Sequence, residues 1–451
     1  MPKACHEKID AGGTFMKAKA WFSIASSVLA VSLLTAGCSS GSNVGGSESG
    51  GQKKEVVIWD WTDPYKTEIS GPMDTVIAEY NKENPDVELK IEKITNDSIR
   101  TKLLAAISAN NLPDAAFLDG QWLAEFQSTG ILAALNNYTD EWGQSDDFPE
   151  KVWESVVFDG QVYGIPGDGD VRTLLYRKDL LDKVGLEAPK TWSELVTASK
   201  KLMEVGKSEG IEYGFAMNGG NSEHTSMRSL PWIWDLGGDF VDGSGKPTLT
   251  SEPIVKTVQF MSDLVLKDKV SPPDSYMKTK KEVAASIVSG QSAMAIVGSW
   301  EWRSDASFLA QDSLKGKLAS APIPLPDDAV TDEPATAVGY GTWVIFDNSQ
   351  NKDEAWKWIE KVTSPEHEIN IFKNGTGNMP MRLSAYKDEA FTSDPIFKSF
   401  VDIMPYARPR PKTETYEALS QAYRDAIQLV LGKQKPVQEA LDYAQSKVES
   451  Q

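Results

Sequence analysis

Aromatic, acidic and guanidinium side chains recur in small groups along this 451-residue chain, each beside a glycine, a proline or the end of an apolar run. Trp59 and Trp61 flank the end of Glu55-Val56-Val57-Ile58-Trp59, Asp119 closes Ala115 to Leu118, and Asp168, Asp170 and Arg172 follow Gly164-Ile165-Pro166. Trp232 and Trp234 precede Gly237-Gly238, Trp300 and Trp302 follow Gly298-Ser299, Tyr340 lies between Gly339 and Gly341, and Arg408 and Arg410 alternate with prolines. Flat rings stack on apolar C–H faces, while carboxylates and guanidinium groups can hold two hydroxyls at once, so these residue types suit a polyhydroxylated ligand such as a sugar. The candidate ligand set is Trp61, Asp119, Asp168, Asp170, Arg172, Trp234, Trp300, Tyr340 and Arg408. Structural alternatives stand beside it: Trp59, Trp232 and Trp343 lie within apolar runs and suit a core, Asp168 could form a turn, Asp170 could pair with Arg172, and the 404–411 segment could be a solvated loop.

Catalytic and metal motifs fail on spacing. Gly206-Lys207-Ser208 ends like a phosphate loop but has Lys201 where the first glycine belongs, and the Gly-x-Gly pairs at Gly167 and Gly339 lack a third glycine. His367-Glu368 is not followed by a histidine at the zinc-protease spacing, and no Gly-x-Ser-x-Gly elbow occurs. Asp168-Gly169-Asp170 hints at a calcium loop, but Arg172 at the next ligand position would repel the ion. The two cysteines, Cys5 and Cys38, leave nothing downstream for a disulfide or thiolate site. No metal, cofactor or covalent chemistry is expected. With 46 Lys and Arg against 65 Asp and Glu, a net charge of -19, nucleic acid and anionic membrane surface are poor partners, and neutral or cationic ligands fit better.

The elements that must position these residues follow from periodicity. Glu55 to Trp59 reads as a buried strand, Met73 to Tyr80 as a helix, Val87, Leu89 and Ile91 as an alternating strand, Ile99 to Ala109 as a helix and Ala115 to Leu118 as a strand. This is the βαβ rhythm of an α/β protein, in which ligands bind beyond the carboxyl ends of the strands. Further helices are expected over Thr191 to Val205, opened by the capping box Thr191-Trp192-Ser193-Glu194, and over Pro253 to Lys267, Lys280 to Ser289, Lys352 to Val362 and Glu417 to Leu431. Ala293 to Val297 and Thr342 to Phe346 read as short strands, and Pro322, Pro324 and Pro326 mark a loop where a change of lobe is plausible.

The N-terminus reads as an address. From Met16 a basic start leads into the apolar stretch Trp21 to Leu34, too short to span a bilayer, and then into Leu34-Thr35-Ala36-Gly37-Cys38. That ending resembles a bacterial lipoprotein signal, with Thr35 where Leu is more usual, and implies cleavage after residue 37 and lipidation of Cys38. Ser39 to Gln52, rich in Gly and Ser, is a flexible tether with an r.m.s. reach of about 20 Å.

From Glu55 onward the chain resembles the extracellular solute-binding proteins of family 1, the maltose- and oligosaccharide-binding type that serves ABC importers. The resemblance is carried by Leu112-Pro113-Asp114 with Asp119 and Gly130-Ile131-Leu132, by Tyr163-Gly164-Ile165-Pro166, by Leu174 to Leu180 and by Pro189 to Leu195. Ser289 to Ala295 with Gly298-Ser299-Trp300, and Ala407 to Pro411, complete it. It implies a two-lobed, periplasmic-binding-protein-like fold with a hinge, expected as 54–168 plus 324–378 and 169–323 plus 379–451. It implies that Asp119 and Asp170 take the places of ligand-binding acids and Trp300 that of the stacking Trp. Arg177, where many members have Asn, and the lack of a matched aromatic near Leu419 depart from the pattern. The function implied is that of a monomeric, lipid-anchored receptor on the outer face of a bacterial cell membrane that captures a neutral oligosaccharide and delivers it to an ABC permease. A carbohydrate-active hydrolase using Asp168 and Asp170 is the alternative, although two residues apart on one strand would be too close for a flanking acid and base. A third reading gives the same receptor a peptide or polyamine ligand.

Overall fold

A computed structural model describes residues 53–61, 70–302, 308, 311–374 and 377–450. The signal segment, Cys38 and the tether to residue 52 lie outside the described residues. The expected βαβ rhythm opens the fold: β1 (Lys54–Asp60) pairs in parallel with β2 (Val87–Lys93) and β3 (Ala115–Asp119), and helices Ser70–Glu83 and Asn96–Ala109 connect them. β3 is apolar and buried as far as its last residue, Asp119, whereas β2 alternates apolar with charged residues and forms the exposed edge. A two-stranded hairpin, β4 (Val157–Phe158) and β5 (Gln161–Val162), then leads into β6 (Ile165–Asp170) and, after Val171 alone, β7 (Arg172–Arg177).

Two larger sheets result. Completing the strands are β8 (Tyr213–Ala216), β9 (Ser292–Gly298), β10 (Leu318–Ala321), β11 (Thr336–Ile345) and β12 (Ala407–Pro409). The first sheet runs β12-β11-β3-β1-β2, with β6 also paired to β11; the second runs β10-β7-β9-β8. Both are mixed, because β11 lies antiparallel to β3 and β6, and β7 antiparallel to β9 and β10. β11 is longer than the Thr342 to Phe346 run suggests. Gly339 and Gly341 lower its strand propensity in isolation, but the Phe117 ring would meet a Cβ on Gly341 at 2.0 Å, so that glycine lets β11 close on β3.

Two apolar cores match the two sheets. One gathers Val56, Ile58, Leu118, Phe126, Trp343, Val344 and Trp358, and extends to Leu175 and Val297, where the helix Pro395–Ile403 covers β7 and β10. The other gathers Leu195, Phe215, Leu230, Trp232, Ile296, Tyr416 and Tyr423. β11 passes between them: Ala335 and Ala337 belong to the second core and Val338 onward to the first, so the change of core falls on this strand rather than at the Pro322–Pro326 loop. Beside it Gly169 and Met379 exchange backbone hydrogen bonds of 2.9 and 2.7 Å. A Cβ on Gly169 would stand 2.3 Å from the Gly339 carbonyl oxygen, so only glycine fits this crossing.

Local signals are mostly realised. Thr191 caps the helix Trp192–Val205 by accepting from the Glu194 amide, but the Glu194 carboxylate accepts from the Lys190 amide, one residue before the expected one. A full capping box forms instead at Thr279 and Glu282, opening the helix Lys280–Val288. Trp232 packs in the second core, as its apolar surroundings suggest, whereas Trp234 differs from expectation: both lie in the helix Glu223–Asp235, not in a loop at a strand end, because the apolar face there extends through Met227, Leu230 and Ile233 into that core.

Candidate functional site

The carboxyl ends of β3, β6 and β9 meet the start of the helix Glu223–Asp235 and the chain leaving β12, and there the charged residues converge. Asp119 ends β3 and accepts from the Gln121 amide at 3.2 Å and from the Arg410 guanidinium. Arg410 also donates to Gln121 Oε1 at 2.6 Å and stands 3.6 Å from Glu223 Oε1. Glu223 in turn accepts from the Tyr416 and Ser420 hydroxyls and from Arg424, each at 2.6 Å. Burial would lower the Arg410 pKa, yet the Asp119 and Glu223 carboxylates outweigh it and hold it above the ordinary value.

Asp170 and Arg172 face each other across Val171, with Arg172 Nη1 2.8 Å from the Asp170 carboxylate. The ion pair considered from sequence is therefore formed. Arg172 also donates to the Ala337 carbonyl at 2.9 Å, and its backbone exchanges hydrogen bonds with the Thr336 hydroxyl, so the start of β7 is clamped to β11. Burial pushes the Asp170 carboxyl up to about 6; Arg172 and Arg410 oppose the shift, and Asp119 adds to it. The Arg172 pKa is lowered, chiefly by burial.

Trp300 stands just past β9 with its ring across Gly298, where a Cβ would come within 1.6 Å of Cζ3. The Arg172 guanidinium lies 5.6 Å from the ring centroid, the Lys280 ammonium 5.7 Å and the His224 ring 5.5 Å. Beneath it Glu301 accepts from Arg228 and from the Gly298 amide, each at 2.7 Å. Burial, then Lys280, Arg228, Arg172 and Arg410, keep His224 neutral well below its ordinary pKa. Several buried atoms here have no hydrogen-bond partner: Arg172 Nε, Ser222 Oγ, His224 Nδ1, Ser299 Oγ and Glu301 Oε1. Such atoms cost free energy unless something polar meets them.

Of the nine expected contacts, Asp119, Asp170, Arg172 and Trp300 share this place, and Tyr340 borders it, its ring against Gly120 and its hydroxyl bonded to Ser155. The other four lie apart. Asp168 accepts from Asn378 at 2.6 Å, and its charge raises the pKa of Glu368 rather than that of Asp170. Arg408 lies over Trp234 at 4.7 Å and 3.9 Å from Asp239. Trp61 leans on Phe117, which stacks on Trp343 at 4.6 Å. Sequence reasoning missed Glu223, His224, Arg228, Lys280, Glu301 and Arg410. The glycine pair Gly219-Gly220 before a polar helix start is a usable signal for the first two, and of the two arginines between prolines it is Arg410, not the expected Arg408, that reaches Asp119. Among the described residues no group of three His, Cys, Asp or Glu converges as metal ligands.

The model of the bacterial extracellular solute-binding protein family matches residues 63–369. The chain belongs to that family. Similar curated proteins include the lactose-binding protein of Rhizobium radiobacter, 24% identical over 77% of this chain and 81% of that one. The maltotriose-binding protein of Pyrococcus abyssi is 23% identical over 84% and 77%. Among solved structures, an ABC transporter solute-binding protein of Thermotoga lettingae holding α-D-tagatose superposes with a TM-score of 0.73 at 27% identity, covering 88% of this chain and 99% of that one. Maltose-bound MalE3 of T. maritima gives 0.73 at 26% identity with the same coverage. The chain is thus an extracellular solute-binding protein with the α/β, two-lobed fold of MalE-like binding proteins. These relatives are binding proteins, which supports a non-enzymatic role. No helix among the described residues is long and apolar enough to cross a membrane.

Proposed function

We propose that this solute-binding protein captures a neutral oligosaccharide between its lobes and delivers it to an ABC permease, working as a monomer held to the outer membrane face through a lipid on Cys38. The observation that carries the ligand reading is the group of partnerless buried polar atoms around Trp300, between the two sheets and at their carboxyl edges. Hydroxyls, each able to donate and accept, can satisfy His224 Nδ1, Ser299 and Glu301 together with the Asp119 and Asp170 carboxylates. Cations and anions alternate in the site, so a neutral ligand needs no net charge to enter. The lobes would follow the two sheets, with crossings at Val171, along β11 and near Met379; ligand bound to one lobe then favours the closed form through contacts only that form makes.

A thermal-shift and calorimetry screen with maltose, maltotriose, lactose, tagatose, ribitol, glucuronate and spermidine tests the reading. Stabilisation by a neutral sugar supports it; stabilisation by glucuronate or spermidine alone overturns it. Release of reducing ends from an oligosaccharide would favour the hydrolase, against which the separate surroundings of Asp168 and Asp170 already count.

A further inference from the structure

We infer that Arg410 is a positioning residue that holds Asp119 for the ligand and ties it to the second core, keeping the two halves in register before any ligand arrives; its positioning role rests on the binding site proposed above. Both Gln121 N–H and Arg410 bond the same oxygen of Asp119, Oδ1, while Oδ2 has no hydrogen-bond partner among the described residues. One oxygen is fixed and the other is left to accept. Asp119 extends from β3, whose Ala115 to Leu118 lie in the first core.

The other end of the tie is anchored in the second core. Glu223, 3.6 Å from Arg410 Nη1, is held by Tyr416, Ser420 and Arg424, and Tyr416 and Leu419 are core residues there. Arg410 itself is 5% exposed, and its guanidinium lies 5.9 Å from the Tyr416 ring centroid. Its backbone is restricted too: Pro409 precedes it, and Pro411 after it disfavours a helical conformation at Arg410. A planar fork can serve Asp119, Gln121 and Glu223 together, which a lysine ammonium on a flexible stem cannot do with the same geometry.

The test uses the full chain with Cys5 and Cys38 changed to Ser and spin labels on cysteines at Lys82 and Lys201, both exposed, one on a helix of each half. Without ligand, Arg410→Gln should broaden the inter-label distance distribution and move it to longer distances, and Asp119→Asn and Glu223→Gln, which cut the tie from either end, should do the same. Arg410→Lys should recover only part of the parent distribution. Unchanged distances in Asp119→Asn and Glu223→Gln overturn the tie, whether or not Arg410→Gln folds. With maltotriose and lactose as probes, Arg410→Gln should weaken binding about tenfold, and the Asp119→Asn/Arg410→Gln pair should be no weaker than the worse single variant. Additive losses overturn the positioning role. If neither sugar binds the parent, the sugar reading fails, and the distance measurements still decide the tie.

Discussion

Asp170→Asn probes the proposed site most directly, because Asp170 is a buried acid that faces its ion-pair partner and, in the reading proposed above, the ligand. Its side chain is 14% exposed, and burial lifts its pKa from 3.8 to about 6 despite Arg172 at 2.8 Å. A carboxyl with a raised folded pKa adds stability while protonated and loses it as pH rises through that value. The shift corresponds to about 3 kcal/mol lost between pH 4 and 7. The pKa of about 6 already contains the Arg172 attraction, so the neutral acid is the more stabilising form, and asparagine resembles it. At pH 4 the carboxyl is mostly protonated in the parent, and the melting temperature of the unliganded variant should stay close to that of the parent there. At pH 7 the parent carries the ionised carboxyl, and the variant should be the more stable of the two. Urea denaturation of both proteins at pH 4, 5, 6 and 7 measures the difference, which should move in favour of Asn by up to about 3 kcal/mol as pH rises. Other titrating groups are common to both chains and cancel. Sugar affinity should fall in the variant by about 1.5–3 kcal/mol, roughly tenfold to 150-fold, and in the parent as pH drops below 6. A pH-independent stability difference would refute the burial argument, and unchanged affinity in a folded variant would leave Asp170 only its pairing with Arg172.

Trp300→Ala should weaken sugar binding by about 1–3 kcal/mol, read by calorimetry, and Gly298→Ala should do so too by displacing the ring that crosses it; full affinity in both would remove Trp300 from the site. Cys38→Ala should release the protein from washed membranes, and retention after a salt wash would mean a different anchor. His367 is buried, 4% exposed, with its pKa lowered to about 4 chiefly by burial. The stability it contributes is present above about pH 6.5 and should be lost as pH falls toward 4, and His367→Gln should flatten that part of the acid-unfolding curve; an unchanged curve would show that folding does not shift the His367 pKa.

Much of the architecture is decided by local pattern. Apolar runs bounded by turns placed β1, β3 and β9, and 3.6-residue spacing with caps placed the helices at 192–205, 352–362 and 416–431, because those signals act within a few residues of chain. The grouping of Asp, Arg and Trp at strand ends was legible for the same reason: Asp119 directly follows an apolar run, Asp170 follows Gly169 with Arg172 two residues on, and Trp300 comes two residues after Gly298. What sequence alone left open is which side chains meet. Arg410 reaches Asp119 and Glu223 only because β12 pairs with β11 and brings residue 410 beside residue 119, a contact that no periodicity encodes. Arg408, two residues earlier, is directed to Trp234 and Asp239 instead. Asp168 and Asp170 share a strand, yet the crossing beside Gly169 gives one the neighbourhood of Asn378 and Glu368 and the other that of Arg172. Local propensity decides the elements, but long-range strand pairing and the burial it imposes decide which charges face one another, and with that the chemistry of the site.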